Sequence, residues 1–164
     1  MKILVLNAGS SSVKYQLFNM DDNSVIAKGG CERIGFEGSF LTHKPANKDS
    51  VTIKQPMPDH KVAIKLVMDA LTDAKHGVIT SMKEVNAVGH RVLHSGGDFD
   101  GSVLVGDNEL QIMKKNIELG PLHMPANIMG IEACMEVMPG VPMVAVFDTA
   151  FHSTMPPKAY MYAI

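Results

Sequence analysis

The segment from Asn7 to Lys14 combines the groups that proteins use to surround phosphoryl oxygens. It contains an amide, a glycine, three consecutive hydroxyls and a cation, at Asn7, Gly9, Ser10, Ser11, Ser12 and Lys14. Hydroxyls, ammonium groups and consecutive backbone N–H groups all donate to phosphate oxygens. A Walker A loop is excluded, because that loop has a second glycine and leads into a helix, whereas residues 13–17 continue with the two-residue period of a strand. We predict a phosphate-binding hairpin, although the same residue types also build turns that bind nothing.

Arg91 lies late in a strand-like segment, Ala87–Leu93. Its planar guanidinium could bind a carboxylate or a phosphoryl group through two parallel hydrogen bonds, and a surface ion pair is the alternative. His90 and His94 flank it at a spacing that would suit a metal pair on a helix. On a strand the two histidines would lie roughly 13 Å apart. We therefore do not expect a zinc site.

Two further polar residues stand at predicted ends of elements. His123 precedes Pro125, which suits the first turn of a helix, and its imidazole could hydrogen-bond to a phosphoryl oxygen. Asp148 follows the apolar run Met143–Phe147, a position from which a carboxylate can project into a cleft and hold Mg²⁺ directly or through water. A capping role is the alternative for both residues.

The composition predicts one folded domain and excludes several classes of protein. The chain has 164 residues and a formal charge of −2, and its lysines are scattered among acidic residues, so we expect no nucleic-acid partner. Cys31 and Cys134 lack metal-binding spacing, which predicts reduced thiols and a cytoplasmic location. The sequence shows neither a signal peptide nor an apolar run of membrane-spanning length, so we expect no membrane association.

The pattern around these residues predicts an α/β fold. The first strands alternate in polarity between turn residues, which predicts an antiparallel opening. The apolar run before Asp148 predicts a strand buried on both faces. We predict strands at 3–6, 13–17, 25–32, 87–93 and 143–147, helices at 59–72, 109–116 and 125–138, and an elaborated loop with minor strands at 35–58. These elements form a mixed sheet with antiparallel opening strands and flanking helices, in which ligands gather at strand ends.

Four segments occur in a fixed order and are spread from the start of the chain to its end: LNAGSSSVKYQLF, VGHRVLHSGG, PLHMPANIMGIEA and VAVFDTAFHSTMPPKAYMYA. The first resembles the initial phosphate-binding hairpin of acetate kinases, members of the actin, Hsp70 and sugar-kinase superfamily. The other three resemble the HRVVHGGE, PLHNPAN and FDTAFH stretches of the same family. Four motifs in register are far more specific than any one of them.

The resemblance implies a ribonuclease H-like, actin-like ATPase domain over residues 1–150, with residues 151–164 starting the connection to a second such domain that is absent. It implies reversible in-line transfer of the γ-phosphoryl group of ATP to acetate, giving acetyl phosphate and ADP, with Mg²⁺ or Mn²⁺. It also implies a homodimer whose interface lies largely in the absent domain. We expect the isolated chain to be inactive and to expose apolar surface where the missing parts would pack.

The resemblance also assigns roles to residues. Acetate, like a free Glu side chain with a pKa near 4.3, is ionised at neutral pH, so no general base is required. The assigned residues are Arg91, His123 and Asp148 for catalysis; Arg91, Leu93 and Leu122 for the acid substrate; Asn7, Gly9, Ser10, Ser11, Ser12 and Lys14 for phosphate or ATP; and Asn7 with Asp148 for the metal, directly or through water.

Three positions depart from the family pattern. Leu93 stands where relatives often have Val, Met124 replaces an Asn beside His123, and Gly97 replaces a Glu. The larger Leu93 predicts a pocket that disfavours acids longer than acetate, by about 1–3 kcal/mol per methylene at most. Asp98 is a candidate for the negative charge that Gly97 lacks.

Two other functions compete with acetate kinase activity. One is a related kinase acting on propionate or butyrate, or using pyrophosphate as the donor. The other is a non-catalytic actin-like or Hsp70-like nucleotide-binding module, whose ATP hydrolysis would need no carboxylate pocket. Acetate-stimulated turnover would separate the second alternative from the kinases.

Overall fold

The computed structural model describes residues 1–161, and an eight-stranded mixed sheet organises them. The strands are β1 Lys2–Gly9, β2 Ser12–Asn19, β3 Ser24–Glu32, β4 Phe40–Pro45, β5 Val51–Lys54, β6 Val85–Val92, β7 Val103–Leu104 and β8 Met143–Phe147. Their order across the sheet is β5-β4-β3-β2-β1-β6-β8-β7. Strands β1 to β5 form an antiparallel meander, whereas β6 runs parallel to both β1 and β8. The predicted mixed sheet with an antiparallel opening is confirmed.

Three α-helices follow the predicted positions closely: α1 His60–Thr72, α2 Asp107–Lys115 and α3 Met124–Val137. Asp59 caps α1 as predicted, because its Oδ1 accepts a hydrogen bond of 2.8 Å from the Val62 N–H. Pro125 lies in the first turn of α3, where a missing N–H leaves no intrahelical bond unmade. Gly140, with φ of 83°, follows the end of α3 and adopts a conformation that favours glycine.

The helices cover one face of the sheet. Along each strand alternate side chains point toward them, and the inward residues of the two central strands are Leu4, Leu6 and Ala8 in β1 and Val13, Tyr15 and Leu17 in β2. Salt bridges join Lys61 to Glu136 between α1 and α3, and Lys114 to Glu132 between α2 and α3. We call the opposite side, which carries Val5, Asn7, Lys14, Arg91 and Val146, the open face.

The open face corrects one prediction. Strand β8 was predicted to be buried on both faces, yet Val146 is 46% exposed while its neighbours Ala145 and Phe147 are buried. Val5, in β1, is 37% exposed on the same side. Apolar residues alone do not show what covers them, and no helix of the described part of the chain lies over this face. That missing parts of the protein pack on this exposed apolar surface stays a prediction.

Two other predictions were wrong in detail. Within the predicted loop at 35–58, β4 is a full strand with six residues paired to β3, and β5 extends the sheet beyond it. The predicted break at residues 7–12 is shorter, because Asn7, Ala8 and Gly9 continue β1 and only Ser10 and Ser11 form the turn. The short edge strand β7 was not predicted, since two residues carry no periodic signal.

A buried polar chain connects β2, β4 and the loop after α1. Tyr15 and His43, which is fully buried, are joined from the hydroxyl to Nδ1, and His43 Nε2 donates to the His76 carbonyl at 3.0 Å. Gly29 of β3 lies next to this pair, and a Cβ added there would come within 2.1 Å of the Thr42 carbonyl oxygen and 2.9 Å of the Tyr15 ring. Small size at Gly29 is therefore needed for the pair to fit.

Candidate active site

The predicted catalytic arginine is placed by the pleat of β6. His90 and Val92 point toward the helices and are buried, so Arg91 between them projects from the open face. The β1 and β6 strands pair in parallel up to Leu6 and His90, and β6 pairs with β8 through Val92. Arg91 therefore stands at the carboxyl ends of parallel strands, the edge of an α/β sheet where ligands usually bind.

Arg91 joins two of the other predicted site residues. Its Nε lies 3.1 and 3.0 Å from the two carboxylate oxygens of Asp148, and Nη2 lies 2.5 Å from Oδ2. Its Nη1 donates to Asn7 Oδ1 at 3.5 Å. Hydrogen bonding to Asp148 raises the pKa of Arg91. Three residues that are far apart in sequence thus form one cluster.

The cluster leaves donor capacity on the guanidinium. Arginine has five N–H groups, and each terminal nitrogen carries two of them. The contacts to Asp148 and Asn7 use one N–H of each nitrogen, so a second N–H on Nη1 and on Nη2 is left for an anion. The ion pair that stood as the alternative for Arg91 is present, and it is compatible with binding of a second carboxylate or a phosphoryl group.

The segment that was predicted to bind phosphate is a β-hairpin. Gly9 pairs with Ser12 across the two-residue turn, and Asn7 pairs with Lys14, so the Asn7 and Lys14 side chains share the open face. Ser10 is exposed at the tip, and Ser11 and Ser12 are partly buried. The hydroxyls and the ammonium group are therefore close along the chain to Asn7 and, through it, to Arg91.

Carbonyl groups of this hairpin accept hydrogen bonds from donors that were not predicted from the sequence. Asn127 Nδ2 donates to the Ala8 carbonyl at 2.7 Å, and His60 Nε2 donates to the Gly9 carbonyl at 2.6 Å. The Ile34 N–H donates to the Ser11 carbonyl at 2.9 Å. Asn127 and His60 are polar yet only 4% and 6% exposed. Asn127 lies within the PLHMPANIMGIEA motif, and this was the available signal.

His123 and the two predicted leucines lie on a separate part of the site. His123 is the N-cap residue of α3, and its side chain makes no capping hydrogen bond. Leu122 is 79% exposed, whereas Leu93 is partly buried and packs with Met124 around Gly120. Within residues 1–161 no hydrogen bond or ion pair joins these side chains to Arg91. Their proximity to a bound acid stays a prediction.

The departures at 97 and 98 have a local explanation. Gly97 has φ of 89°, a left-handed conformation that a glutamate would adopt only with strain. The Asp98 carboxylate accepts a 2.6 Å hydrogen bond from Asn116 Nδ2, which also donates to the Ser95 carbonyl at 3.1 Å. Asp98 thus fastens this turn to α2, and the partner of Arg91 is Asp148 instead.

The flanking histidines occupy different environments. His90 faces the core of the helix-covered side, where Nε2 lies 3.5 Å from Met143 Sδ, and burial lowers its pKa from 6.5 to about 4. The ring nitrogens of His94 are buried without a hydrogen-bond partner among the described residues. Within residues 1–161 no group of three or more His, Cys, Asp or Glu side chains could hold a metal ion.

A model of the acetokinase family matches residues 2–164. The chain belongs to the acetokinase family. It is 58% identical over 164 residues to an acetate kinase of Natranaerobius thermophilus, covering all of this chain and 41% of that relative.

Solved acetokinase-family structures agree with the fold. An acetate kinase of Porphyromonas gingivalis superposes with a TM-score of 0.93 at 44% identity, and a propionate kinase of Francisella tularensis with 0.87 at 39%. Each match covers 99% of this chain and 41% of the other. This acetokinase chain thus spans about two fifths of the length of the relatives that it matches.

The donor set around Arg91 fits the predicted Mg²⁺. Asp148 offers a carboxylate and Asn7 an amide oxygen, and these hard oxygen ligands meet at one guanidinium. Mg²⁺ commonly takes only one or two protein oxygens together with nucleotide phosphates. A two-oxygen set beside a phosphate-type hairpin therefore fits magnesium bound with a nucleotide.

In residues 1–161 no helix is long and apolar enough to cross a membrane.

Proposed function

We propose that the full-length protein containing this chain is an acetate kinase, which reversibly transfers the γ-phosphoryl group of ATP to acetate. The observation that carries the proposal is the Arg91 cluster: a guanidinium held by Asp148 and Asn7 beside a phosphate-type hairpin, with one N–H left on each terminal nitrogen. The family assignment and the acetate kinase relatives support the choice of reaction.

In this proposal the chain neutralises and aligns two anions. The remaining N–H groups of Arg91 bind the acetate carboxylate or the transferring phosphoryl group, and the imidazole of His123 donates to a phosphoryl oxygen. Ser10, Ser11, Ser12 and Lys14, with the backbone at Gly9, bind the phosphates of ATP. No side chain needs to take a proton, because acetate is already ionised at neutral pH. Positioning and charge therefore account for most of the catalysis.

Asp148 and Asn7 have a second role in the proposal. Asp148 fixes the orientation of the Arg91 fork, and its carboxylate with the amide oxygen of Asn7 would hold Mg²⁺, directly or through water. Mg²⁺ would supply neutralisation of phosphate charge. Mn²⁺ is a reasonable substitute, because it also prefers oxygen ligands.

We propose that this chain contributes half of a two-domain cleft, with residues 1–150 as the acid-substrate and phosphate side and 151–164 as the start of a connection. Residues 162–164 lie outside the described part of the structure. The length of the relatives supports a large missing part. The chain alone should then have negligible kinase activity.

We further propose a cytoplasmic homodimer with its interface largely outside this chain. The buried free thiols Cys31 and Cys134 support a reducing compartment.

A propionate kinase is the second candidate, because the Francisella tularensis structure of that name shares this fold at 39% identity. The two candidates differ in the pocket for the acyl chain, to which Leu93 and Leu122 are assigned. Leu93 stands where relatives often have the smaller Val, which leaves less room for a longer acid. We favour acetate for this reason.

The test uses the full-length protein or a hybrid enzyme. In the hybrid enzyme, this chain replaces the segment that it matches in the Natranaerobius thermophilus acetate kinase. Acyl phosphate formation from ATP is measured with acetate, propionate, butyrate and no acid, and pyrophosphate is tried as the donor. We expect the highest catalytic efficiency with acetate and ATP. ATP hydrolysis unaffected by any acid would refute a kinase, and a preference for propionate would select the second candidate.

A further inference from the structure

Asn127, in the first turns of α3, binds two other segments of the candidate site with its side chain. Its Nδ2 donates to the Ala8 carbonyl at 2.7 Å, and its Oδ1 accepts from the Leu93 N–H at 3.1 Å. Its own N–H donates to the carbonyl of His123, one turn earlier on α3, at 3.0 Å. The hairpin, the strand end that follows Arg91 and the start of α3 therefore meet at this residue.

The position of Asn127 in the sheet explains why an amide stands there. The parallel ladder between β1 and β6 ends at the pair of Leu6 with His90. Ala8 and Leu93 lie beyond this pair, where the strands no longer exchange hydrogen bonds with each other. The buried Asn127 amide donates to one strand and accepts from the other. A side chain that only donates or only accepts would leave one buried backbone group unsatisfied.

Close packing of α3 on β1 makes this bridge possible. Gly130 lies one turn beyond Asn127, and a Cβ added to it would come within 2.7 Å of the Ala8 Cβ. The helix therefore rests directly on the end of β1. His60 of α1 donates to the next carbonyl of the hairpin, that of Gly9, but its side chain makes no hydrogen bond to β6 in the described part of the chain. Of Asn127 and His60, it is Asn127 that also forms a hydrogen bond at the end of β6, the strand that carries Arg91.

We propose that Asn127 is a positioning residue that sets the spacing between the phosphate hairpin and the end of β6, and so the distance from bound phosphate to Arg91 and Leu93. The inference rests on the proposed kinase function, and it adds a requirement on geometry to it. Misplacement of reacting groups by about 1 Å can reduce a rate by roughly 100-fold. Loss of the bridge should therefore lower the turnover number itself, in addition to any loss of stability.

The test compares Asn127→Ala, Asn127→Asp and a control, Cys134→Ala, in the full-length or hybrid enzyme. Cys134 is fully buried on the same helix, about 10 Å further along it, so its truncation perturbs the core without touching the bridge. We expect Asn127→Ala to lower kcat by roughly 10- to 100-fold, whereas Cys134→Ala lowers the melting temperature alone. An Asn127→Ala enzyme with a lowered melting temperature but unchanged kcat and KM would overturn the proposal.

Asn127→Asp supplies a readout that a merely structural role would not move. A protonated carboxyl donates and accepts as the amide does, whereas the ionised form accepts only and repels the Ala8 carbonyl. We expect its kcat to be low at neutral pH and to recover toward wild type as the pH falls. His60, His94, His123 and Arg91 are the titratable groups on the segments that meet here, and the wild-type pH profile accounts for them. Parallel profiles for the two proteins would contradict the proposal.

Hydrogen exchange separates this inference from the proposed function. Peptides covering residues 8–12 and 92–97 are followed by mass spectrometry in the same proteins. We expect faster exchange at Leu93 and in the hairpin for Asn127→Ala but not for Cys134→Ala. If the wild-type enzyme forms no acyl phosphate but the two variants differ in exchange as expected, the kinase proposal fails and the bridge is still supported. Equal exchange in both variants would refute the bridge whatever the activity.

Discussion

Acidification should destabilise this protein through His90, the residue that precedes Arg91 on β6. Burial lowers the pKa of His90 from 6.5 to about 4, so the folded chain keeps this imidazole neutral under conditions where the unfolded chain protonates it. The stability that His90 contributes is complete above pH 6.5 and is lost as the pH falls toward 4. Each pH unit of this interval costs about 1.4 kcal/mol, which gives a total of about 3 kcal/mol.

The assay is urea unfolding followed by circular dichroism at a series of pH values between neutrality and about pH 4. His90→Leu removes the titrating group and keeps an apolar side chain of similar volume against Met143. We expect this variant to lose about 3 kcal/mol less than wild type over that interval. His43, whose pKa is also lowered mainly by burial, remains in both proteins and continues to contribute in the same direction.

Val92→Ala provides the matched control, because Val92 is fully buried on the same strand and the same face but does not titrate. It should lower stability by a similar amount at every pH. The reasoning is refuted if wild type and His90→Leu lose the same free energy on acidification. It is also refuted if Val92→Ala flattens the pH dependence as His90→Leu does, since the effect would then reflect packing.

Three further predictions concern single substitutions. Arg91→Lys in the full-length enzyme should lower kcat/KM by at least about 100-fold, because a point charge cannot pair side-on with Asp148 and bind a second anion; kinetics near wild type would contradict this. Gly29→Ala should destabilise the chain by about 2 kcal/mol or more in urea unfolding, since its Cβ would clash with the Thr42 carbonyl oxygen and with Tyr15, and an unchanged midpoint would exclude the clash. Gly97→Glu should cost about 1–2 kcal/mol in the same assay through its positive φ, and a stable variant would show that the turn can adjust.

Local signals were sufficient to predict the elements that carry the site. The serine-rich turn, the proline at the start of α3 and the apolar run before Asp148 each determine structure over a few residues. Their predicted strands and helices agree with the structure to within a few residues. The site residues could therefore be assigned to strand ends and a helix start before their contacts were known.

Contacts between distant segments could not be predicted in the same way. Arg91 and Asp148 are 57 residues apart, and from the sequence Asp98 was the candidate for the negative charge near Arg91. His60 and Asn127 read as ordinary helix residues, because only the packed fold shows that they are buried against hairpin carbonyls. The prediction that β8 is buried on both faces was wrong for the same reason, because an apolar run does not show which of its faces a helix will cover.

The bridge at Asn127 has a consequence for how the protein is made. The hairpin is a local structure whose residues emerge early from a ribosome, but the side chain that holds its Ala8 carbonyl follows 119 residues later. Contacts between segments so far apart in sequence form slowly compared with local ones. The hairpin is therefore synthesised well before α3, and its Ala8 carbonyl gains this hydrogen bond only when α3 packs against β1.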